Sequence, residues 1–180
     1  MRKPFAMHIH RIFGIIATAL VMSLLAMAPL RVSAGMEKPT GNVILSISGA
    51  ITETNAGSDA IFDRDMLRAL GMHSLITTNP FETGLQRFEG VLLSDVLKHT
   101  GATGKTIIAH ALDGYTVEIP AADATRYPVL LAMVWNGQEM TVRNKGPLWV
   151  VYPVDQFDEL KKEIFSIRSI WQLTRLTIKE

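Results

Sequence analysis

A stretch of polar and aromatic side chains between two apolar runs contains the residues of this sequence that are best suited to bind a ligand. It spans Thr77 to Leu97 and supplies hydroxyls, an amide, an aromatic ring and a guanidinium group. Hydroxyl and amide groups both donate and accept hydrogen bonds. Ligand pockets combine mostly apolar and aromatic walls with a few polar groups of this kind. The stretch therefore predicts the wall of a ligand pocket, which opens with a polar turn at residues 77–80.

The sequence shows no familiar catalytic or metal-binding pattern. It contains no cysteine, which excludes disulfides, thiolate metal ligands and a cysteine nucleophile. The histidines His73, His99 and His110 are spaced too far apart to match a usual zinc-ligand pattern. No nucleophile elbow and no phosphate-binding loop is present. The sequence therefore predicts no histidine-based metal site.

The first 34 residues have the pattern of a secretory signal peptide. A basic head precedes an uncharged apolar run from Ile12 to Ala28, and Val32-Ser33-Ala34 forms a small-residue cleavage site. The alternative is an uncleaved membrane anchor, since the run is only slightly shorter than the roughly 20 residues that span a bilayer. Either way we expect export, and a chain of this size without cysteine indicates the bacterial periplasm. The predicted organisation is a signal peptide at 1–34, a linker at 35–41 and one domain at 42–180.

The charge distribution gives no indication of a nucleic-acid partner. The whole chain has 18 basic and 17 acidic residues. Four of the basic residues lie in the leader, which leaves 14 against 17 and a net charge of −3 for the remainder. A nucleic-acid surface needs clustered Lys and Arg side chains. We therefore expect no nucleic acid among the partners.

Short strands outnumber helices in the pattern of apolar residues. Asp113-Gly114 and Asn136-Gly137 are typical of tight hairpin turns. Ser58 and Ser94 are expected to be the N-caps of two helices, and a short helical turn is expected after Pro120. The predicted strands cover residues 42–48, 72–76, 106–112, 115–119, 129–135, 139–142, 148–152 and 166–179. The pattern indicates an α+β domain with a mixed, mostly antiparallel sheet and a few short helices.

Five short motifs follow one another along the predicted domain. They are FEGVLLSDVL at 88–97, which is expected to begin with a turn, ALDGY at 111–115, NG at 136–137, GPLWVVYP at 146–153 and RSIWQLTRL at 168–176. In this order they resemble the molybdopterin-binding domain of the sulfite-oxidase-fold oxidoreductases. The resemblance covers residues 42–178. It implies a sulfite-oxidase-like molybdopterin-binding fold and a pocket for a pterin.

Two departures from the family pattern bear on function. In the catalytic members a cysteine thiolate binds molybdenum upstream of the glycine that matches Gly90, and this place falls at or beside Thr78. A threonine hydroxyl is a hard donor that cannot replace a soft thiolate on the metal. Secondly, the family usually has a cofactor-contacting lysine near Trp171, whose indole offers a ring face and one N–H but no charge. The resemblance therefore implies a pocket that keeps the pterin head and has lost the metal.

A domain of this kind resembles the small periplasmic pterin-binding regulators of the same fold. Those proteins act with a membrane protein that carries diguanylate cyclase and cyclic-di-GMP phosphodiesterase domains, and they control surface attachment. The resemblance implies a reduced pterin, such as a monapterin, as the ligand and the periplasmic region of that membrane protein as the partner. It implies no catalytic cofactor and no metal, molybdenum included. The alternatives are a molybdopterin-dependent oxidoreductase with an atypical metal site, and an interaction module with a vestigial pocket.

The implied pterin site gathers residues from three parts of the sequence. Polar groups would bind the edge and tail of the pterin, and aromatic rings would stack on its flat face. Several candidates also have simpler roles, which are turn capping for Asn79 and Thr83, core packing for Phe81, and an ion pair with Glu89 for Arg87. The expected ligand-binding residues are Thr77, Thr78, Asn79, Phe81, Thr83, Arg87, Asn136, Arg168, Ser169 and Trp171.

Other side chains near these motifs are expected to have structural or solvated roles. Trp135 and Trp149 lie in apolar runs and are expected in the core. Arg143 and Lys145 are expected on a solvated face, although either could reach a phosphate. Glu82 is either an exposed loop acid or an acceptor for the 2-amino group of a pterin.

Overall fold

Ten strands and four short helices form residues 36–180, the part of the chain that this computed structural model describes. The leader predicted for residues 1–34 lies outside the described residues. The strands are β1 Leu45–Gly49, β2 Ala60–Phe62, β3 His73–Asn79, β4 Glu82–Leu92, β5 Thr106–Ala111, β6 Thr116–Pro120, β7 Leu130–Trp135, β8 Gln138–Glu139, β9 Trp149–Val151 and β10 Leu173–Lys179. The helices are α1 Arg64–Ala69, α2 Leu93–His99, α3 Ala121–Arg126 and α4 Glu163–Arg168, and two 3₁₀ turns cover Val142–Asn144 and Asp158–Lys161. Within residues 36–180 the longest helix has seven residues, far short of the roughly 20 that cross a bilayer.

The strands form two sheets in which most neighbours run antiparallel. The first sheet has the order β2-β1-β10-β5-β6, and only β1 and β10 are parallel among its described pairs. The second has the order β3-β4-β7-β8, with β9 also paired to β7. Asn136 and Gly137 join β7 to β8 with φ angles of 48° and 78°, as a type I′ hairpin turn requires. The prediction of an α+β domain with a mixed, mostly antiparallel sheet is confirmed.

Strand β7 is buried on both faces of the second sheet, which explains its continuous apolar sequence. Leu131 and Met133 belong to the main core, to which both sheets contribute. Leu130 and Ala132 belong to a smaller apolar cluster on the opposite face, together with Trp149. The second sheet therefore separates the main core from this smaller cluster.

The first helix starts later than expected, and the prediction of Ser58 as its N-cap is wrong. Residues 60–62 pair with β1 as strand β2, so α1 begins only at Arg64. Its N-cap is Asp63, whose carboxylate accepts a hydrogen bond of 2.9 Å from the backbone N–H of Met66. Strand pairing, which the local sequence does not reveal, displaced the start of the helix.

The second helix begins directly after a strand, and Ser94 lies inside it instead of capping it. The N-cap position is Leu92, which makes no side-chain cap hydrogen bond. The N–H of Leu93, at the first helical position, donates instead to the carbonyl of Val129 at 2.9 Å. A neighbouring backbone thus satisfies a donor that a capping side chain would otherwise serve.

The polar stretch that begins at Thr77 is a β-hairpin, and the prediction of a turn over residues 77–80 is wrong. Thr77 to Asn79 end strand β3, and Asn79 pairs with Glu82 at the start of β4. Only Pro80 and Phe81 form the turn. The threonines fit a strand because β-branched side chains favour extended backbone.

The turn expected at Phe88-Glu89-Gly90 is wrong, because these residues lie within strand β4, opposite a β-bulge in strand β7. The register against β7 shifts by one residue between Glu89 and Gly90. A Cβ atom on Gly90 would lie 2.0 Å from the carbonyl oxygen of Leu131. Glycine is therefore required here because the two backbones approach too closely for any side chain.

The single strand expected over residues 166–179 consists of a helix and a strand. Helix α4 ends at Arg168, and β10 begins at Leu173. Gln172 has a positive φ of 51° between them, and its N–H donates to the carbonyl of Lys145 at 2.9 Å. This connection places Trp171 beside the smaller apolar cluster.

Candidate ligand-binding site

Four aromatic rings from different strands and loops meet at the smaller apolar cluster. Trp135 ends β7, Trp149 begins β9, Trp171 precedes β10, and Phe81 lies in the turn between β3 and β4. Neighbouring rings pack edge to face, with centroid distances of 5.8 Å for Trp135–Trp149, 6.2 Å for Trp149–Trp171 and 4.7 Å for Phe81–Trp171. This geometry is favourable for aromatic pairs. We call these four residues the aromatic cage.

Two of the indoles are fixed by hydrogen bonds to buried groups. The Trp135 N–H and the side-chain amide of Asn136 both donate to the same oxygen of Gln86, at 3.0 and 2.8 Å. The Trp149 N–H donates to the carbonyl of Ser169 at 3.1 Å. Because buried donors are satisfied in this way, the rings have defined orientations before any ligand arrives. Asn136 thus positions Trp135.

The ammonium group of Lys145 lies among the tryptophan faces of the cage. Its Nζ is 5.1 Å from the ring centroid of Trp135, 5.0 Å from that of Trp149 and 5.8 Å from that of Trp171. It also forms an ion pair with Glu82 at the start of β4. These distances are typical of cation–π interactions. The expectation that Lys145 lies on a solvated face is wrong, because its ammonium group lies over the rings of three tryptophans and pairs with Glu82.

A cleft adjoins the cage on the other side of Trp149. The cleft is narrow, and Asn79, Tyr152 and Ser169 contribute to its walls. The Asn79 carboxamide oxygen accepts from the backbone N–H of Phe81 at 2.9 Å. The Asn79 Nδ2 atom, by contrast, is buried without a hydrogen-bond partner. A buried donor of this kind is costly unless a ligand or solvent satisfies it, so Asn79 provides both a turn cap and a donor.

Thr77 and Thr78 are held by Asp155, from the segment that follows β9. Asp155 accepts from the Thr78 N–H at 2.6 Å, from the Thr78 hydroxyl at 2.8 Å and from the Thr77 hydroxyl at 3.2 Å. These hydrogen bonds, foremost the one from the Thr78 backbone, lower the pKa of Asp155, because they favour its charged form. We call this arrangement the threonine–aspartate clasp. Both hydroxyls at the end of β3 therefore have a partner within the chain.

Thr83 and Arg87 lie away from the cage. Thr83 is exposed, and its carbonyl accepts from the Gln86 side chain at 2.9 Å. Arg87 is exposed and pairs with Glu89, with 3.0 Å between Nε and Oε1. Side chains alternate along β4, so Phe88 faces the smaller cluster and Arg87 faces outward. Of the two roles considered for Arg87, the structure contains the ion pair.

Arg168 and Ser169 occupy neighbouring positions with different surroundings. The Ser169 hydroxyl donates to the carbonyl of Phe165 at 2.8 Å, and the residue lines the cleft. Arg168 points to Asp123, with 3.0 Å between Nη1 and Oδ2. The Tyr152 hydroxyl donates to the same oxygen at 2.8 Å, and burial, together with this carboxylate, raises the pKa of Tyr152. The guanidinium of Arg168 is thus bound to an internal carboxylate through Nη1, while its Nε is buried without a hydrogen-bond partner.

The structure brings Asn79, Phe81, Ser169 and Trp171 together around Trp149, and it adds residues that the sequence reasoning did not assign to the site. These are Trp135, Trp149, Lys145 and Asp155. The sequence contains only three tryptophans, and their scarcity was the available signal that all three serve one site. Asp155 gave no such signal. Within residues 36–180, no three His, Asp or Glu side chains come close enough together to hold a metal ion.

Comparison with protein families agrees with the fold. Residues 66–170 match the family model described as the oxidoreductase molybdopterin binding domain. The match spans more than half of the chain, and the chain belongs to this family. A search of curated proteins found no match. The family membership supports the sulfite-oxidase-like molybdopterin-binding fold.

The residues at the expected metal position do not fit a molybdenum–thiolate bond. The chain has no cysteine, and the hydroxyls of Thr77 and Thr78 are bonded to Asp155. Hydroxyl and carboxylate oxygens are hard ligands, unlike the soft sulfur that this bond needs. The threonine–aspartate clasp therefore does not fit a molybdenum–thiolate centre.

Proposed function

We propose that this protein is a non-catalytic receptor for a reduced pterin. One observation carries the proposal. Where the resemblance places the metal ligand of the catalytic members, this chain has the threonine–aspartate clasp, and it also has an aromatic cage. A pocket with this composition can bind a flat heterocycle and provides no group for redox chemistry at a metal.

The cage and the cleft would divide the recognition of a pterin between them. The partly exposed ring of Trp171 would stack on the bicyclic ring, since flat π systems favour offset or edge contacts, while Trp149, only 1% exposed, would support Trp171 from within the cluster. The unpartnered Nδ2 of Asn79 would donate to an acceptor on the ring edge. Ser169 lines the cleft, where the hydroxylated tail of the pterin would lie.

Titration of the purified domain, residues 35–180, with tetrahydromonapterin tests the proposal, with indole fluorescence and calorimetry as readouts. Trp171→Ala should weaken binding by about 30- to 1000-fold, which corresponds to the 2–4 kcal/mol typical of a buried aromatic anchor. Trp171→Phe, which keeps a stacking ring, should lose much less. Tyr115→Ala is the matched control, because Tyr115 is an exposed aromatic in the β5–β6 turn. The absence of binding at high micromolar pterin would refute the proposal.

We further propose that the protein acts in the periplasm on a membrane-bound diguanylate cyclase/phosphodiesterase and thereby controls cyclic-di-GMP and surface attachment. The leader pattern and the resemblance to the pterin-binding regulators support this role. Regulation requires that the pterin bind two states of the complex unequally. Cyclic-di-GMP turnover by the membrane partner should therefore depend on the pterin only when this protein is present. Turnover that changes neither with the pterin nor with this protein would contradict the regulatory role. It would leave the proposal of pterin binding intact.

Family membership favours a second candidate, a molybdopterin-dependent oxidoreductase with an atypical metal site. The clasp would then have to open so that oxygen ligands could replace sulfur. Metal analysis of protein purified from a molybdenum-replete host separates the two candidates. Stoichiometric molybdenum would favour the enzyme, whereas protein that binds a pterin without molybdenum would favour the receptor.

A further inference from the structure

Lys145 occupies the space between the tryptophan faces of the aromatic cage. Its Nζ lies between 5.0 and 5.8 Å from three ring centroids, and about a quarter of its side chain is exposed to solvent. A heterocycle stacked on any of these rings would lie about 3.5–4.0 Å from the ring atoms, the optimal separation for carbon contacts. The ammonium group and a ligand stacked on the ring faces that Lys145 covers therefore cannot be present at the same time.

A backbone conformation and a backbone hydrogen bond fix the position of Lys145. Lys145 has a φ of 70°, in the left-handed region, where a non-glycine residue is uncommon. Its carbonyl accepts from the N–H of Gln172, itself left-handed with a φ of 51°. Such conformations persist only where the surroundings impose them, and they cluster at ligand sites. The hydrogen bond also links the backbone of Lys145 to the residue after Trp171.

Glu82 holds the Lys145 side chain in the cage through an ion pair. Its carboxylate pairs with the Lys145 ammonium, and about a quarter of the Glu82 side chain is exposed. Glu82 follows Phe81, whose ring packs edge to face on Trp171 at 4.7 Å. Removal of Lys145 from the cage would therefore also break the ion pair of Glu82, the residue directly after the β3–β4 turn.

We propose that Lys145 is a built-in competitor of the ligand, which closes the aromatic cage until a pterin displaces it, and that Glu82 sets the strength of this closure. The inference rests on the proposed function in so far as the displacing ligand is a pterin. The Lys145–Glu82 pair then determines specificity, because a ligand must gain more from the tryptophan faces than the ammonium loses. Displacement also couples ligand binding to the hairpin that carries Phe81 and Asn79.

The test compares the affinity of tetrahydromonapterin for the domain with and without this pair. Lys145→Ala should bind about tenfold more tightly, the factor that corresponds to about 1.4 kcal/mol of lost competition. Glu82→Gln should bind more tightly by a smaller factor, because the ammonium remains but its anchor is weakened. Lys161→Ala is the matched control, since Lys161 pairs with Asp158 on an exposed 3₁₀ turn outside the cage. Weaker or unchanged binding by Lys145→Ala would overturn the proposal, since it would mean that Lys145 contacts the ligand or leaves it unaffected.

A measurement without ligand separates this inference from the proposed function. Acrylamide should quench the tryptophan fluorescence of Lys145→Ala more strongly than that of wild type, because the cage is open. Lys145→Met, which keeps a flexible stem without the charge, serves if Lys145→Ala does not fold, and it should show the same change to a smaller degree. Unchanged quenching would overturn the closure of the cage. If quenching increases but no variant binds the pterin, the closure stands and the proposed ligand is wrong.

Discussion

Replacing Arg168 with methionine removes the cation that pairs with Asp123 beneath the cleft. The two side chains are only 17% and 11% exposed, and Nη1 lies 3.0 Å from Oδ2. Breaking a buried ion pair from one side leaves an uncompensated charge and typically costs about 3–5 kcal/mol. For a chain of this size we expect the melting temperature to fall by roughly 10 °C.

A double-mutant cycle with Asp123→Asn isolates the pair. The asparagine removes the negative charge but keeps an oxygen for the Tyr152 hydroxyl, which donates to Asp123 at 2.8 Å. The double variant should therefore be more stable than the sum of the single losses predicts, with a coupling of at least about 1 kcal/mol. Thermal and urea unfolding, followed by circular dichroism, measure all four proteins. Additive losses would refute the reasoning, because they would mean that the two groups do not depend on each other.

The same variant decides whether Arg168 contacts the ligand. Because its guanidinium is bound to Asp123, Arg168→Met should bind tetrahydromonapterin within about threefold of wild type, measured well below its melting temperature. A loss of two orders of magnitude in affinity, with stability unchanged, would show that Arg168 reaches the ligand.

Three further predictions concern stability. Asp63→Ala should cost about 2–4 kcal/mol in urea unfolding, because the carboxylate caps α1 and accepts two more backbone N–H bonds at 2.8 Å from the linker; a loss under 1 kcal/mol would contradict this account. Hydrogen bonds from the backbone lower the pKa values of Asp63 and Asp155. The stability that these carboxylates contribute is therefore present above their unfolded pKa and should be lost as the pH falls from roughly 5 to 2. Asp63→Asn should flatten this pH dependence in melting curves recorded at several pH values. Gly90→Ala should destabilise the domain by more than about 3 kcal/mol, because its Cβ would lie 2.0 Å from the Leu131 carbonyl oxygen, and soluble protein with a wild-type melting temperature would show that the bulge can relax.

Local sequence chemistry predicted the parts of the fold that depend on neighbouring residues. The turns at Asp113-Gly114 and Asn136-Gly137 lie where expected. Both residues of the second turn are left-handed, as a tight hairpin requires, whereas in the first turn only Gly114 is. The short helix after Pro120 is present as α3. The two capping serines and the turn at Phe88-Glu89-Gly90 were wrong, since pairing with distant strands overrode the local preference.

The candidate site was only partly visible in the sequence for the same reason. Asn79, Phe81 and Trp171 were expected to contact a ligand, and the structure places them at the cage and the cleft. Nothing in the local sequence indicates that Lys145 lies among three tryptophans or that Asp155 binds both threonines. Trp149 follows Lys145 by only four residues, but Trp135 and Trp171, like the threonines that bind Asp155, lie on other strands and loops, so these contacts exist only after the second sheet has formed.

By itself the sequence determined the fold class, the family resemblance and the absence of a thiolate ligand for a metal, because composition and short motifs carry these properties. Tertiary structure alone decided which side chains surround the end of β3 and which group occupies the aromatic cage. The end of β3, expected as a polar turn, is a strand whose hydroxyls Asp155 engages. The aromatic cage, expected only as single rings, holds the chain's own lysine. Both outcomes depend on which side chains face each other across strands, and that is a property of register and packing.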